Sequence, residues 1–80
     1  MKKNRNTHKD LQKIFNKILP ETKKSFDMKK TQSEYRNWDS FAHMQLASEI
    51  ERVFGTELTV KEILSVDSAV RFLALIEKKL

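Results

Sequence analysis

Two Asp-Ser pairs, Asp39-Ser40 and Asp67-Ser68, are the places in this chain where residue type and spacing could support chemistry. A serine hydroxyl at a helix start can carry a covalent group, and the N–H groups of the first turn favour an anion bound there. The same residue types are also ordinary helix caps. Ser40 follows a long polar stretch and opens the longest amphipathic segment, so a phosphodiester on its hydroxyl would be stabilised by that helix end. Ser68 is expected inside the first turn of a helix capped by Ser65, with a structural part only. From the residues alone, attachment at Ser40 and a plain cap at Asp39-Ser40 both stay open. His8 and His43 lack the helical partner or the thiolates of a zinc site, so no metal is expected. No general acid–base pair, phosphate loop or nucleophile with its base is visible, and the chain is not expected to be an enzyme.

The elements that must position these residues follow from apolar periodicity. Leu11, Ile14, Phe15, Ile18 and Leu19 form one stripe of a 3.6-residue period, ended by Pro20. Thr7 is the expected N-cap, with Asp10 in the first turn. Residues 21–37 have no sustained period; Phe26, Met28 and Tyr35 are expected to anchor them, with a short helical turn near 32–36. A second helix is predicted over 40–54, with Leu46, Ile50, Val53 and Phe54 on one face, extended by Phe41, Met44 and Ala47. Gly55 supplies the left-handed residue that closes it. Thr59 and Glu62 have capping-box spacing and lead into a short third helix that buries Val60, Ile63 and Leu64. The fourth begins near Ser65 and packs Val66, Ala69, Val70, Leu73, Ile76 and Leu80. The expected fold class is all-α: a small four-helix bundle with a long first loop and a short third helix. It forms one domain over 1–80, with residues 1–6 a flexible basic N-terminus.

Charge is divided unevenly along the chain. Residues 1–37 carry eleven Lys or Arg against four acids, whereas residues 38–80 carry five against seven. The net +5 therefore belongs to the front half. It admits a small basic nucleic-acid-binding module as an alternative function, but no recognition motif or clean basic stripe appears, and nucleic acid is not an expected partner. Cysteine is absent, so apolar packing alone must hold the fold. No apolar run has the length of a transmembrane helix, and "MKKNR" is not followed by the apolar stretch of a secretory signal. A cytoplasmic monomer is the expectation.

The stretch from Trp38 to Leu80, "WDSFAHMQLASEIERVFGTELTVKEILSVDSAVRFLALIEKKL", resembles the acyl carrier proteins. Asp39-Ser40-Phe41 stands where that family has Asp-Ser-Leu at the start of its second helix. Phe54-Gly55 matches the end of that helix, and Glu57-Leu58-Thr59 with Glu62 matches the turn into the third. "SVDSAVRFL" is similar to the fourth, and Leu11 to Leu19 are compatible with the first. The resemblance implies 4'-phosphopantetheine, taken from coenzyme A by a phosphopantetheinyl transferase and attached to Ser40 beside Asp39. Acyl groups would then travel as thioesters on the arm, supplied by a loading ligase and passed to acyl-transferring or modifying enzymes. It implies partner recognition by Phe41, His43, Gln45, Glu49 and Arg52. An acyl pocket would be formed by Met44, Leu46, Ile50, Phe54, Ile63 and Leu73. Two departures stand out: Phe41 replaces the leucine, and the second helix is poorer in acids than in fatty-acid carriers. A specialised pathway is therefore the expected setting, with Lys2, Lys3, Arg5 and Lys9 available to an acidic partner or an anionic surface. A cofactor-free protein-interaction module is the alternative within this resemblance.

Overall fold

Helix α1, Thr7–Ile18, forms because its apolar residues recur on one face, and that face is inside: Leu11, Ile14 and Phe15 are buried. The computed structural model describes residues 6–80, so Lys2, Lys3, Arg5 and all of the expected flexible N-terminus except Asn6 lie outside the described residues. The N-cap of α1 is Asn6 rather than Thr7. The Asn6 side chain accepts from the Lys9 N–H at 3.0 Å, and Thr7 is already helical. Leu19 and Pro20 end the helix as expected, and Pro20–Lys23 continues as a 3₁₀ turn whose Thr22 is buried.

The long connection is ordered by polar ties as much as by anchors. Tyr35 is buried, and Phe26 and Met28 pack half-buried against the core. Thr31 and Glu34 form a capping box around the 3₁₀ turn Gln32–Glu34, within the stretch where a helical turn was expected. The Glu21 carboxylate accepts from the N–H groups of Arg36 and Asn37 and from the Asn37 amide, fastening the two ends of the connection together. Its middle lies against the turn before the last helix. Gln32 N–H donates to Asp67 C=O at 2.6 Å and Val70 N–H to Met28 C=O at 2.8 Å, with Thr31 and Ser68 forming one isolated antiparallel bridge.

Helix α2, Ser40–Phe54, runs from the Asp39 cap to Gly55, which takes the left-handed conformation at φ 63°. Helix α3, Val60–Ser65, starts at the Thr59–Glu62 capping box, as its spacing predicts. Helix α4, Ala69–Lys79, begins later than the periodicity implied. Ser68, not Ser65, is its N-cap and accepts from Arg71 N–H, because Val66 is extended and Ser68 lies in the bridge with Thr31. These four α-helices make an all-α fold, with no strand among the described residues.

α1 packs against α2 and α4. The centre holds Phe15, Leu46, Ile50, Phe72 and Ile76, all fully buried. Each such side chain contributes roughly 1.5–3 kcal/mol by leaving water. Phe15 meets Trp38 edge-on at 5.4 Å, and Trp38 stacks on Phe72 at 6.5 Å. Four core assignments are corrected. Val60 and Leu64 are exposed, since a helix of six residues turns only Ile63 inward, and Val70 and Leu80 also face water. Phe72, absent from the predicted stripe, takes the central place on α4. Among the described residues no helix is long and apolar enough to cross a membrane.

Candidate functional site

Asp39 sets the start of α2. Its extended backbone turns the chain out of the helix, its Oδ1 accepts from Ala42 N–H at 2.8 Å, and its carbonyl accepts from His43 N–H at 2.9 Å. Ser40 is therefore the first helical residue, and it is exposed. Its hydroxyl makes no hydrogen bond among the described residues, and no acceptor there pairs with the N–H of Ser40 or Phe41. These are the unfilled donors that a helix start presents. Ser68 differs in each respect. It is 2% exposed, and its hydroxyl oxygen is engaged in capping α4.

Ser40 opens onto a cleft of about 230 Å³ between α2 and α3, whose walls include Met44, Leu64, Val66, Gln32 and Asp67. A second, wider cleft of about 450 Å³ shares Gln32 and Asp67 with it and extends over Ser33, Tyr35 and Trp38. Gln32 is held for this role at two points, through its N–H to Asp67 and through its amide to the Trp38 carbonyl at 3.2 Å. Sequence reasoning missed Gln32, Asp67 and the solvent-facing position of Leu64. The Thr31–Glu34 spacing is that of a capping box and could have marked an ordered turn, but nothing local indicated that the turn would meet Asp67.

His43, expected to touch partners, is buried and is corrected to a structural clamp. Trp38 Nε1–H donates to its Nδ1 at 3.0 Å, and its Nε2 lies 2.7 Å from the Ile63 carbonyl. An indole N–H can only donate and a carbonyl can only accept, so the ring is neutral with its proton on Nε2. Trp38 and His43 also stack at 5.7 Å. The clamp thus ties the residue before Asp39 to the far end of α3 and fixes the Ser40 turn from behind.

The remaining expected recognition residues divide. Phe41 is 72% exposed, so its ring lies on the surface rather than in the core, and Gln45 and Arg52 are exposed as well. Glu49 is held by Lys17 of α1 at 2.9 Å and by Arg52. Hydrogen bonds from Arg52 and then Lys17 push its carboxyl down to about 2. Of the expected acyl-pocket residues, Leu46, Ile50, Phe54 and Ile63 are buried in the core and Leu73 packs half-buried against it. Only Met44, half-exposed, lines either cleft. Among the described residues no cluster of His, Cys, Asp or Glu gathers as metal ligands would.

No protein-family model, curated protein or solved structure matches the chain.

Proposed function

We propose that this chain is an acyl carrier protein, a small helical bundle of that family's type that carries 4'-phosphopantetheine on Ser40. The observation that supports it best is the contrast between the two Asp-Ser pairs. Ser40 alone offers an exposed, unbonded hydroxyl at the start of a long helix, while Ser68 is sealed into a cap. The resemblance of Trp38 to Leu80 to the family's motifs points to the same residue.

The residues at this end suit the group. The N–H groups of Ser40 and Phe41 are open to phosphate oxygens, and Asp39, whose carboxylate is occupied by Ala42 N–H, sets the serine at the exposed first position of α2. The Met44–Leu64 wall gives the pantetheine chain an apolar surface to lie on. When bound, the group supplies a terminal thiol that this cysteine-free chain lacks. Attachment forms a bond from Ser40 Oγ to phosphorus and breaks the pyrophosphate link of coenzyme A. Adenosine 3',5'-bisphosphate leaves, and the hydroxyl proton passes to the transferase. The chain itself catalyses nothing. It is a cytoplasmic monomer that a loading ligase charges and that acyl-transferring enzymes discharge, in a specialised pathway.

Intact mass after incubation with coenzyme A and a broad-specificity phosphopantetheinyl transferase tests the reading. Wild type gains one phosphopantetheine and Ser40→Ala gains none. A gain that persists in Ser40→Ala, or no gain in wild type, overturns it.

A further inference from the structure

Between α1 and the far half of α2 lies a cleft of about 250 Å³. Buried Ile14 and half-buried Val53 give it an apolar floor, and its rim carries Lys13 and Lys17 of α1 and Arg52 of α2. Lys17 and Arg52 share one carboxylate, that of Glu49. It is drawn in beneath them: the Glu49 side chain is 16% exposed, against 63% for Lys17 and 68% for Arg52. Both cations keep N–H donors that Glu49 does not use. Lys13 is exposed and pairs with no carboxylate among the described residues. Lys9, exposed one turn earlier on the same face of α1, continues the row.

We propose that this cleft docks an acidic segment of a partner protein and seats one of its glutamate side chains, the methylenes over Val53 and the carboxylate among Lys13, Lys17 and Arg52. A glutamate is an apolar stem ending in a negative charge, which is the order that floor and rim present; a phosphate brings the charge without the stem. The rim is also mixed in sign, with Asp10 and Glu49 standing among the cations. It suits a carboxylate offered at one place rather than the continuous negative charge of a nucleic-acid backbone or an anionic bilayer. None of the large exposed apolar side chains lies on α1 or at this cleft, so nothing there would enter a bilayer. Arg52 stands more than three turns beyond Ser40, about 18 Å along α2. The cleft is thus separate from the end where a group would be attached.

The test is an amide NMR titration of the full chain with an oligo-L-glutamate peptide at about 0.15 M sodium chloride, for wild type, Lys13→Glu, Lys29→Glu and Ser40→Ala. Wild type should bind with a Kd below about 1 mM. The shifts should be confined to residues 10–17 and 49–53, which border the cleft. Lys13→Glu removes one attraction and adds one repulsion, and should weaken binding about tenfold. Lys29→Glu makes the same change in net charge on an exposed residue outside the cleft, and should weaken it less than about twofold. Ser40→Ala should bind as wild type does, so that failure of the carrier reading leaves this site standing. Lys13 faces solvent, and circular dichroism of its variant should match wild type. No binding by wild type, or equal losses in Lys13→Glu and Lys29→Glu, overturns the proposal. So does duplex DNA, or a phosphatidylcholine–phosphatidylglycerol vesicle, that binds more tightly than the peptide at the same salt and is released by Lys13→Glu; the face would then belong to phosphate.

Discussion

The Tyr35 hydroxyl is sealed from solvent without a hydrogen-bond partner among the described residues, although its ring is well placed. The ring meets Trp38 edge-on at 5.3 Å, and Lys30 Nζ lies 4.6 Å above it. An unsatisfied buried hydroxyl costs about 1–3 kcal/mol, so Tyr35→Phe, which keeps the ring, should raise stability by about 1 kcal/mol. For a chain of this size that is about 4–8 °C in Tm. Desolvation first, and then the charges of Asp27, Glu21 and Glu34, push the phenol above its ordinary value of 10.0. In the unfolded chain the proton leaves near that ordinary value; in the fold it leaves later. Between the two, the unfolded state has lost a proton the fold keeps, so stability falls as pH rises through that window. Tyr35 is the single tyrosine, so phenolate absorbance reads it directly. The midpoint should lie above the ordinary value in native protein and return to it in denaturant. A native midpoint at the ordinary value would mean the hydroxyl is not buried. His43 teaches a related lesson at this scale. Its place three residues after Ser40 reads as a surface neighbour, and its two buried partners, the Trp38 indole and the Ile63 carbonyl, hold it inside.

At the scale of the element, local caps carry most of the α2 frame. Gly55 at φ 63° closes the helix, and a Cβ there would meet nothing within 4 Å. The cost of Gly55→Ala is therefore conformational alone, about 1 kcal/mol in urea unfolding, and Gly55→Asn should lose less because asparagine tolerates the left-handed region. Equal losses for alanine and asparagine would point instead to a packing clash. Asp39, Gly55 and the Thr59–Glu62 box were legible in the sequence because each acts through residues no more than four positions away. The start of α4 was not. Ser65 and Ser68 are equally good caps locally, and the choice is made by Gln32 and Met28, more than thirty positions earlier, pairing with Asp67 and Val70. The same distance hides the Ser40 cleft. Ser40 itself is readable, but Gln32, Leu64 and Asp67 reach it only through the tertiary fold. Val60 and Leu64 read as core because apolar residues usually are. In a helix of six residues only one face can be covered.

Across the whole molecule, two ion pairs join helices that the core alone would leave with unpaired surface charge. Lys17 of α1 holds Glu49 of α2, with Arg52 beside it, and Lys79 of α4 holds Glu62 of α3. Part of the basic surplus of the front half is thus matched to the acidic back half within the fold. Both carboxyls are depressed from an ordinary 4.5: Glu49 to about 2, and Glu62 by the Thr59 backbone N–H first and then Lys79. Above 4.5 both carboxyls are ionised in either state, and their contribution to stability is fully present. As pH falls below 4.5 the unfolded chain takes up these protons first, so stability declines until Glu49 itself protonates near 2. The rising positive charge adds self-repulsion over the same range. Urea midpoints measured at steps between pH 6 and pH 2 should therefore fall for wild type, and fall less for Glu49→Gln, whose side chain cannot titrate. Both pairs face solvent, so high salt should narrow the gap between the two proteins. Parallel curves for wild type and Glu49→Gln at low salt would mean that Lys17 and Arg52 do not hold Glu49 in solution. The link between α1 and α2 would then rest on the Phe15, Leu46 and Ile50 core alone.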